Sequence, residues 1–299
     1  MRRVFPLLGL VPLLGLVELA AHQYFATRAP GPDDYAALGR ELLKVKRPGV
    51  PIVVAPAWAE PLVRAAAPAA FPIGELTRAD DSAFAELLEV SLLREHAPEL
   101  ASLTRQAPRA LGPFTLTSFK NPRPEPTTFD FVTAVDVGQV EVFLDFDGVR
   151  APCPAVNDAR LETGGLHGHG AYPERRFQCS SERFVAVSLI EDANYRPHRC
   201  ILTRLPPSGR LVLHFTGVPA AARLVAFGGF AYFLERDAAE PQVELTLSED
   251  SRPLGSRRFA GKDGWVRSPL GGTQGGAVEV AAQRLGASQS DFCFALEAR

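Results

Sequence analysis

The chain has 299 residues, of which 46% are hydrophobic and 22% are charged. This composition is that of a folded protein and excludes a chain that is disordered throughout. The formal net charge is −2 and the arginines are scattered, without the basic run that nucleic-acid binding requires, so nucleic acid is excluded as a partner.

The first 26 residues have the pattern of an export signal or a signal anchor. Arg2 and Arg3 precede an apolar run from Val4 to Ala21, which only Glu18 interrupts. About 20 apolar residues cross a bilayer as a helix, and positive residues before such a run stay in the cytoplasm. Because no good small-x-small cleavage site follows, we expect an uncleaved transmembrane helix over 1–26 rather than a cleaved signal. The protein is therefore expected to be anchored in an inner membrane with its remainder in the periplasm.

The segment 27–121 is predicted to form a small α/β domain. Tyr35, Leu38 and Leu42 recur at helical spacing, and a proline and a glycine follow them, which predicts a helix over 33–49. A short apolar run that ends at Pro56 is typical of a buried strand. The other predicted elements are a helix starting at 57, a helix over 80–100 and a strand over 113–119.

A proline-rich joint over 122–128 separates this domain from a segment with a different period. From 129 to 299 the apolar residues alternate in short runs, which glycine, proline, aspartate and asparagine separate. Such a pattern, without helical stretches, indicates an antiparallel β-sandwich, most simply a jelly roll. The fold class is then α+β. The predicted strands lie within 129–137, 140–148, 183–192, 209–218, 223–235, 242–250, 276–285 and 291–299.

The four cysteines agree with export. They are Cys153, Cys179, Cys200 and Cys293, an even number without a C-x-x-C pair. In an oxidising compartment they would form two disulfides. Of three pairings we favour Cys153 with Cys179, which flank a histidine-containing loop, and Cys200 with Cys293. Four buried thiols are the alternative.

The loop between the first two cysteines contains a candidate metal site. His167 and His169 would point to the same side of an extended chain, and Glu174 follows. This H-x-H-x4-E arrangement is similar to the first metal motif of cupins, which are themselves jelly rolls. The resemblance implies a divalent metal such as zinc or iron, with His214 as the further ligand. The other interpretation is a surface loop in a protein without a cofactor.

The sequence "IVVAPAWAEPLVR" lies between a predicted helix and a second predicted helix with an acidic cap. This arrangement, over about 33–121, resembles the extracytoplasmic part of protein O-mannosyltransferase-type membrane glycosyltransferases. The resemblance implies a detached, non-catalytic relative of that outer part, with a membrane glycosyltransferase as its partner.

The second half resembles galactose-binding-like jelly-roll domains of envelope and carbohydrate-active proteins. The resemblance lies in 206–218, in 244–270 and in the closing strand. It implies a chain that crosses from one sheet to the other at Asp263-Gly264-Trp265, and a glycan ligand bound by Trp265, Asp263 and Arg267. An aromatic face and a sugar ring bury apolar area together. The alternative is that Trp265 seals the edge of the core.

No nucleophile elbow, phosphate-binding loop or H-E-x-x-H motif occurs in the sequence. Adjacent carboxylates such as Asp80 and Asp81 are interpreted as a helix cap, and Asp145 and Asp147 as a solvated strand face. The sequence therefore favours a membrane-anchored extracytoplasmic protein that binds glycan or a glycosylation partner and is not an enzyme. A cupin-like metalloprotein and a structural subunit without a ligand are the alternatives.

Overall fold

The structure is a computed structural model of the whole chain, which folds into two compact units. The first unit comprises Met1–Phe71 and Leu87–Lys120, and the second comprises Pro72–Glu86 and Asn121–Arg299. The residues that the structure describes are 5–26, 29–157, 173–180, 182–192, 196–230, 241–286 and 291–299.

The first unit contains three α-helices and a small sheet. The sheet has the strand order β1-β2-β5-β3, with β4 also paired to β5, and β1 is parallel to β2. The elements are α1 (Phe5–Ala26), α2 (Pro32–Val45), β1 (Ile52–Ala55), α3 (Glu60–Ala66), β2 (Glu86–Leu92), β3 (Thr104–Arg105), β4 (Arg109–Leu111) and β5 (Phe114–Lys120).

The predictions for α1, α2, β1 and β5 are confirmed as secondary structure. Within the described part of the chain, however, no helix combines the length and the apolarity that crossing a membrane requires. Helix α2 begins after Gly31, whose N–H donates to the Asp34 carboxylate at 2.9 Å. A Cβ on Gly39 would lie 2.3 Å from the Ala66 carbonyl oxygen, so the close approach of α2 and α3 requires glycine there.

The helix predicted over 80–100 is wrong. Residues Glu86–Leu92 form strand β2, which pairs in parallel with β1 from Ile52↔Leu88 to Ala55↔Ser91. The sequence of a strand that is buried on both faces is a nearly continuous apolar run. The leucines in such a run also match helical spacing, which is why the pattern predicted a helix. Its buried carboxylate, that of Glu89, accepts hydrogen bonds from the Ala97 N–H and from His96 Nδ1, both at 2.8 Å.

The predicted domain 27–121 differs from the compact units, because 72–86 belongs to the second unit. We call this segment the strap; it contains the short helix α4 (Ile73–Leu76). The Ala79 carbonyl accepts a hydrogen bond from Trp265 Nε1 at 3.1 Å, and the Ala85 carbonyl accepts one from the Asn121 N–H at 2.9 Å. Because these contacts join residues more than 30 positions apart, the pattern of residues within the strap does not predict them.

The second unit is a sandwich of two antiparallel sheets, as the sequence predicts. One sheet has the order β17-β14-β19-β12-β11-β10-β9 with β6 paired to β19, and the other has the order β16-β15-β18-β13-β7-β8. The strands are β6 (Phe129–Asp130), β7 (Glu141–Phe146), β8 (Val149–Pro152), β9 (Ala155–Val156), β10 (Arg176–Gln178), β11 (Phe184–Glu191), β12 (Pro197–Arg204), β13 (Arg210–Val218), β14 (Leu224–Phe230), β15 (Gln242–Glu249), β16 (Arg252–Ala260), β17 (Val266–Pro269), β18 (Gly276–Arg284) and β19 (Asp291–Ala298).

The two sheets of the sandwich share one apolar core. The buried side chains come from alternate positions, as in β15, where Val243, Leu245 and Leu247 are buried. Phenylalanines from both sheets fill its centre, including Phe215 of the six-stranded sheet and Phe292 of the eight-stranded sheet. The expected crossing between sheets is present, because a 3-10 turn at Gly261–Asp263 connects β16 of one sheet to β17 of the other.

The strand predicted over 129–137 is only partly correct. Strand β6 ends at Asp130, and Phe131–Asp136 form helix α5. The Asp130 carboxylate accepts hydrogen bonds from the Val132 N–H at 2.9 Å and from Thr133 Oγ1 at 2.5 Å, which caps the helix. Because the capping aspartate stands inside an alternating run, the period alone indicated a strand.

The structure contains two disulfides, Cys153–Cys179 and Cys200–Cys293, which are the pairs that the sequence favoured. Cys200 and Cys293 lie on the neighbouring strands β12 and β19. Cys153 follows β8 of the six-stranded sheet, and Cys179 follows β10 of the eight-stranded sheet, so this bond links the two sheets. Closing a loop of 93 residues limits the unfolded ensemble, which is the main stabilising effect of such a bond.

We expect the second unit to lose stability in acid through Glu249. Hydrogen bonds from Thr273 Oγ1 and Arg252, together with the N–H groups of Gln274 and Gly275, lower the pKa of this carboxyl from 4.5 to about 2. A carboxyl with a lowered pKa in the folded state stabilises the protein above its unfolded pKa, and this contribution is lost as the pH falls.

The free energy of unfolding should therefore decline between about pH 4.5 and pH 2 more steeply than in the Glu249→Gln variant. Urea unfolding at a series of pH values measures this difference. Glu244→Gln is the matched control, because Glu244 lies on the same strand and pairs with the exposed Arg258. Equal pH profiles for the protein and for Glu249→Gln would contradict the assignment.

Candidate functional site

A cleft of about 470 Å³ lies within the second unit, between the strap and the sandwich. We call it the strap cleft. It is lined by the strap, by the end of the proline-rich joint, by α5 and by strands β12 and β19. The side chains relevant to ligand binding are Arg78, Asp80, Phe84, Phe129, Asp130, Thr133, Arg199 and Glu297.

The start of α5 positions one polar wall of the strap cleft. The Thr133 hydroxyl donates to Asp130 Oδ2 and accepts from Arg199 Nη1 at 3.2 Å. Arg199 Nη2 donates to Asp136 Oδ2 at 2.6 Å, and the backbone N–H of Arg199 donates to the Thr77 carbonyl at 3.1 Å. These bonds fix a guanidinium, a hydroxyl and a carboxylate at the edge of the cleft, where a ligand with hydroxyl groups would meet both donors and acceptors.

Asp80 and Glu297, which also line the strap cleft, depend on Arg299, whose side chain is only 1% exposed. Arg299 Nη2 donates to Asp80 Oδ1 at 2.8 Å and to Glu297 Oε2, and Nη1 donates to Ser82 Oγ at 2.5 Å. Arg267 Nε donates to the other oxygen of Asp80, also at 2.8 Å. The guanidinium of Arg299 therefore connects the strap to strand β19.

Burial and charge act in opposite directions on the two carboxyls beside Arg299. Burial favours the neutral form of Asp80, but hydrogen bonds and charge from Arg299, with Ser82 and Arg267, outweigh it and hold its pKa below the ordinary value. At Glu297 burial is the larger effect and raises the pKa, although Arg299 and Thr127 oppose it. Asp80 is the more firmly ionised member of this pair.

Two aromatic side chains, Phe84 of the strap and Phe129 of β6, complete the strap cleft. Both are half-buried, so each presents part of an apolar ring beside the charged groups. Phe129 is held against Phe131 in an edge-to-face pair with ring centroids 4.9 Å apart. The cleft thus combines apolar ring surface with fixed, planar polar groups.

Trp265, the predicted sugar platform, is held by the protein itself. His198 stacks on its ring with centroids 4.2 Å apart and 9° between the planes, and its indole N–H donates to the Ala79 carbonyl. His198 is in turn bonded through Nε2 to Asp192 Oδ2 at 3.0 Å. Trp265 packs against the core, as the alternative interpretation of the sequence proposed.

The two residues predicted to assist Trp265 also have internal partners. Asp263 Oδ2 accepts a hydrogen bond from the Ala260 N–H at 3.1 Å and closes the turn that joins the sheets. Arg267 pairs with Asp80 and, through Nη2, with Glu125 at 2.6 Å. Arg267 thus reaches the strap cleft indirectly, by holding Asp80, whereas Asp263 serves the chain crossing.

Of the four predicted metal ligands, His167 and His169 lie outside the described residues. Glu174 is exposed just before β10 of the eight-stranded sheet, and His214 lies on β13 of the six-stranded sheet. Within the ranges that the structure describes, no group of three or more His, Cys, Asp or Glu side chains is arranged to hold a metal ion.

The sequence pattern does not indicate the strap cleft. Asp80 has the local pattern of a helix cap, and no motif marks Arg199. Asp130 directly before an apolar run is a helix-start signal in the sequence. Arg199 pairs with Asp136, 63 positions away, and Arg299 pairs with Asp80, 219 positions away, so no local pattern indicates these two pairs.

No protein-family model and no curated protein sequence matches the chain. Several solved structures of carbohydrate-binding modules are similar to it. CBM51 from Clostridium perfringens GH95, in complex with methyl-galactose, has 11% identity over 38% of this chain and 80% of that chain, with a TM-score of 0.29. TmCBM61 in complex with β-1,4-galactotriose has 14% identity over 34% and 72%, with a TM-score of 0.23.

The xylan-binding domain from CBM22 has 11% identity over 40% of this chain and 83% of that chain, with a TM-score of 0.27. At these identities and TM-scores the similarities assign neither a ligand nor a function. They do not test the resemblance of 33–121 to O-mannosyltransferase-type enzymes, which stays a prediction.

We expect the purified protein to contain metal well below one ion per chain, because Glu174 precedes β10 of the eight-stranded sheet whereas His214 lies on β13 of the six-stranded sheet. Plasma mass spectrometry of the protein beside a His167→Ala/His169→Ala variant measures this. Near-stoichiometric zinc or iron that the variant loses would instead establish the metal site.

Proposed function

We propose that this protein binds glycans in the strap cleft, outside the cytoplasm, and does not cleave them. The observation that carries the proposal is the composition of that cleft, in which the rings of Phe84 and Phe129 lie beside Asp130, Thr133 and Arg199. A sugar ring has apolar faces that pack on aromatic side chains and hydroxyls that bond to planar charged groups. A volume of about 470 Å³ lies in the range of small-molecule sites and suits a short oligosaccharide.

Preorganisation supports binding. The Asp130, Thr133 and Arg199 side chains are held by bonds to one another and to the backbone of α5, so a ligand would meet groups that need little ordering. Each group retains capacity for a sugar hydroxyl, since a carboxylate has about four acceptor sites and a guanidinium has five donors.

Binding is favoured over hydrolysis by the position of Arg299. Glycosidases place two carboxyls on either side of the sugar, one as proton donor and one as nucleophile or base. In the strap cleft the two carboxyls with opposite pKa shifts, Asp80 and Glu297, both bond to the same buried guanidinium. Because one guanidinium bonds to both, neither carboxyl is free of a cation as a proton donor or nucleophile would need to be.

The glycan proposal predicts that Phe84→Ala and Thr133→Val each weaken binding about tenfold or more, a loss of about 1.4 kcal/mol or more. Phe84→Ala removes ring surface, and Thr133→Val removes a hydroxyl with almost no change of shape. Fluorescently labelled protein on a glycan array, followed by titration with the best ligand, measures the effect.

The matched controls are Phe146→Ala and Thr246→Val, two exposed positions on the six-stranded sheet. Trp265→Phe should bind normally while unfolding more easily, because the Ala79 carbonyl loses its donor. If Trp265→Phe lost glycan binding while Phe84→Ala and Thr133→Val bound normally, the glycan site would lie at Trp265 instead. Release of reducing sugar from a bound glycan would contradict the absence of cleavage.

We also propose that the N-terminal segment exports the chain and anchors it, with both units in the periplasm. The Arg2-Arg3 pair before the apolar run and the two disulfides support this proposal. The full chain expressed in a bacterium should then carry no free thiol, remain with membranes after alkaline extraction and be cut by protease added to spheroplasts.

Deletion of 2–26 should leave the four thiols reduced in the cytoplasm, as maleimide labelling before lysis would show. A full chain that stays in the cytoplasmic fraction with labelled thiols would contradict the proposed location.

A further inference from the structure

A second cleft, of about 280 Å³, lies at the other end of α5 within the second unit. Its walls are the end of α5 with Gly138, strands β9 to β11 and the residues just before β10. We call it the arginine cleft, because Arg175 and Arg176 both line it. The strap cleft lies at the first turn of the same helix.

Arg175 is exposed at this cleft, whereas Arg176 is buried and differs from the other largely buried arginines of the sandwich. Arg299 bonds to Asp80 and Glu297, and Arg204 bonds to Asp291. Arg176 is only 9% exposed, yet its recorded partners are uncharged, namely the Gln178 side-chain oxygen and the ring of Phe184, which lies 5.4 Å from the guanidinium carbon. Within the described part of the chain, neither Arg175 nor Arg176 has a carboxylate at ion-pair distance.

Among the described residues that line the cleft there is one carboxylate, that of Asp136, and it already has a partner. Arg199 Nη2 bonds to Asp136 Oδ2 at 2.6 Å, while Nη1 lies 3.7 Å from Asp130 Oδ2. In the described part of the chain Asp136 therefore pairs with Arg199 and not with Arg175 or Arg176. A nearly buried cation whose described partners are uncharged is costly to desolvate, and a ligand anion would reduce that cost.

Both guanidiniums lie at the wall of this cleft. The Phe184 ring and the bond to Gln178 hold Arg176, and Nη2 of Arg175 lies near Gly138, where a Cβ would come within 3.9 Å of it. Arginine side chains recognise carboxylate, sulfate and phosphate groups through paired hydrogen bonds.

We propose that the arginine cleft is an anion subsite that binds the acidic group of a charged saccharide. The identification of the ligand as a saccharide rests on the proposed function, whereas anion binding rests on the two arginines alone. Helix α5 has six residues and is about 9 Å long. One short oligosaccharide would then place a neutral ring in the strap cleft and an acidic ring in the arginine cleft.

Calorimetric titration of the full chain in detergent, at constant ionic strength, tests the proposal. The probes are sodium glucuronate, glucose and sodium sulfate. Glucuronate should bind more tightly than glucose, and Arg175→Gln should weaken its binding about tenfold or more. The matched control Arg257→Gln, at an exposed arginine on strand β16, should bind like the unmodified protein.

The Phe84→Ala variant separates this inference from the glycan proposal, because Phe84 lines the strap cleft and is not among the residues that line the arginine cleft. Glucuronate that binds Phe84→Ala and depends on Arg175 supports the subsite even if no glycan is retained on the array. Sulfate that binds as tightly as glucuronate assigns the subsite to sulfated or phosphorylated sugars, and weaker sulfate binding assigns it to uronic acids. Absence of binding by both anions, or equal affinities in Arg175→Gln and the unmodified protein, would overturn the inference.

Discussion

The buried guanidinium of Arg299 is the interaction on which the site depends. It bonds to Asp80 of the strap and to Glu297 of β19 at the same time, and both carboxyls line the strap cleft. Removing one partner of a buried ion pair typically costs about 3–5 kcal/mol, because the other charge is left unpaired. The strap has little apolar surface in the core of the sandwich, so charge and hydrogen bonding largely determine where this wall of the cleft lies.

The parts of the fold that follow local periodicity were predictable from the sequence. Strands such as β15 alternate buried and exposed residues, and helix α2 has apolar residues at helical spacing, so each element carries its own signal. Strand β2 carries no such signal, because parallel pairing with β1 buries both of its faces and removes the period of two. Helix α5 was not predicted either, since its capping residue Asp130 lies within an alternating run.

The candidate site was much less predictable than the fold, and the reason is physical. A tryptophan beside a glycine in a turn suggests a sugar-binding platform. In the structure, however, Trp265 stacks on His198 and its indole N–H donates to the Ala79 carbonyl. The charged residues of the strap cleft are of common types. Their positions are determined by partners far along the chain, as Arg299 determines that of Asp80. Neither their spacing nor their composition indicates that they meet.

Helix α5 joins the two clefts in one electrostatic arrangement. Arg199 bonds to Thr133 at the first turn and to Asp136 at the last, so the cation that helps to build the strap cleft also pairs with the one carboxylate among the described lining residues of the arginine cleft. Without Arg199, Asp136 would lack its cationic partner and would disfavour a ligand anion in that cleft. The charge that a ligand anion would meet in the second cleft therefore depends on how the first cleft is built, and this dependence is the physical basis for proposing a single ligand that contacts both.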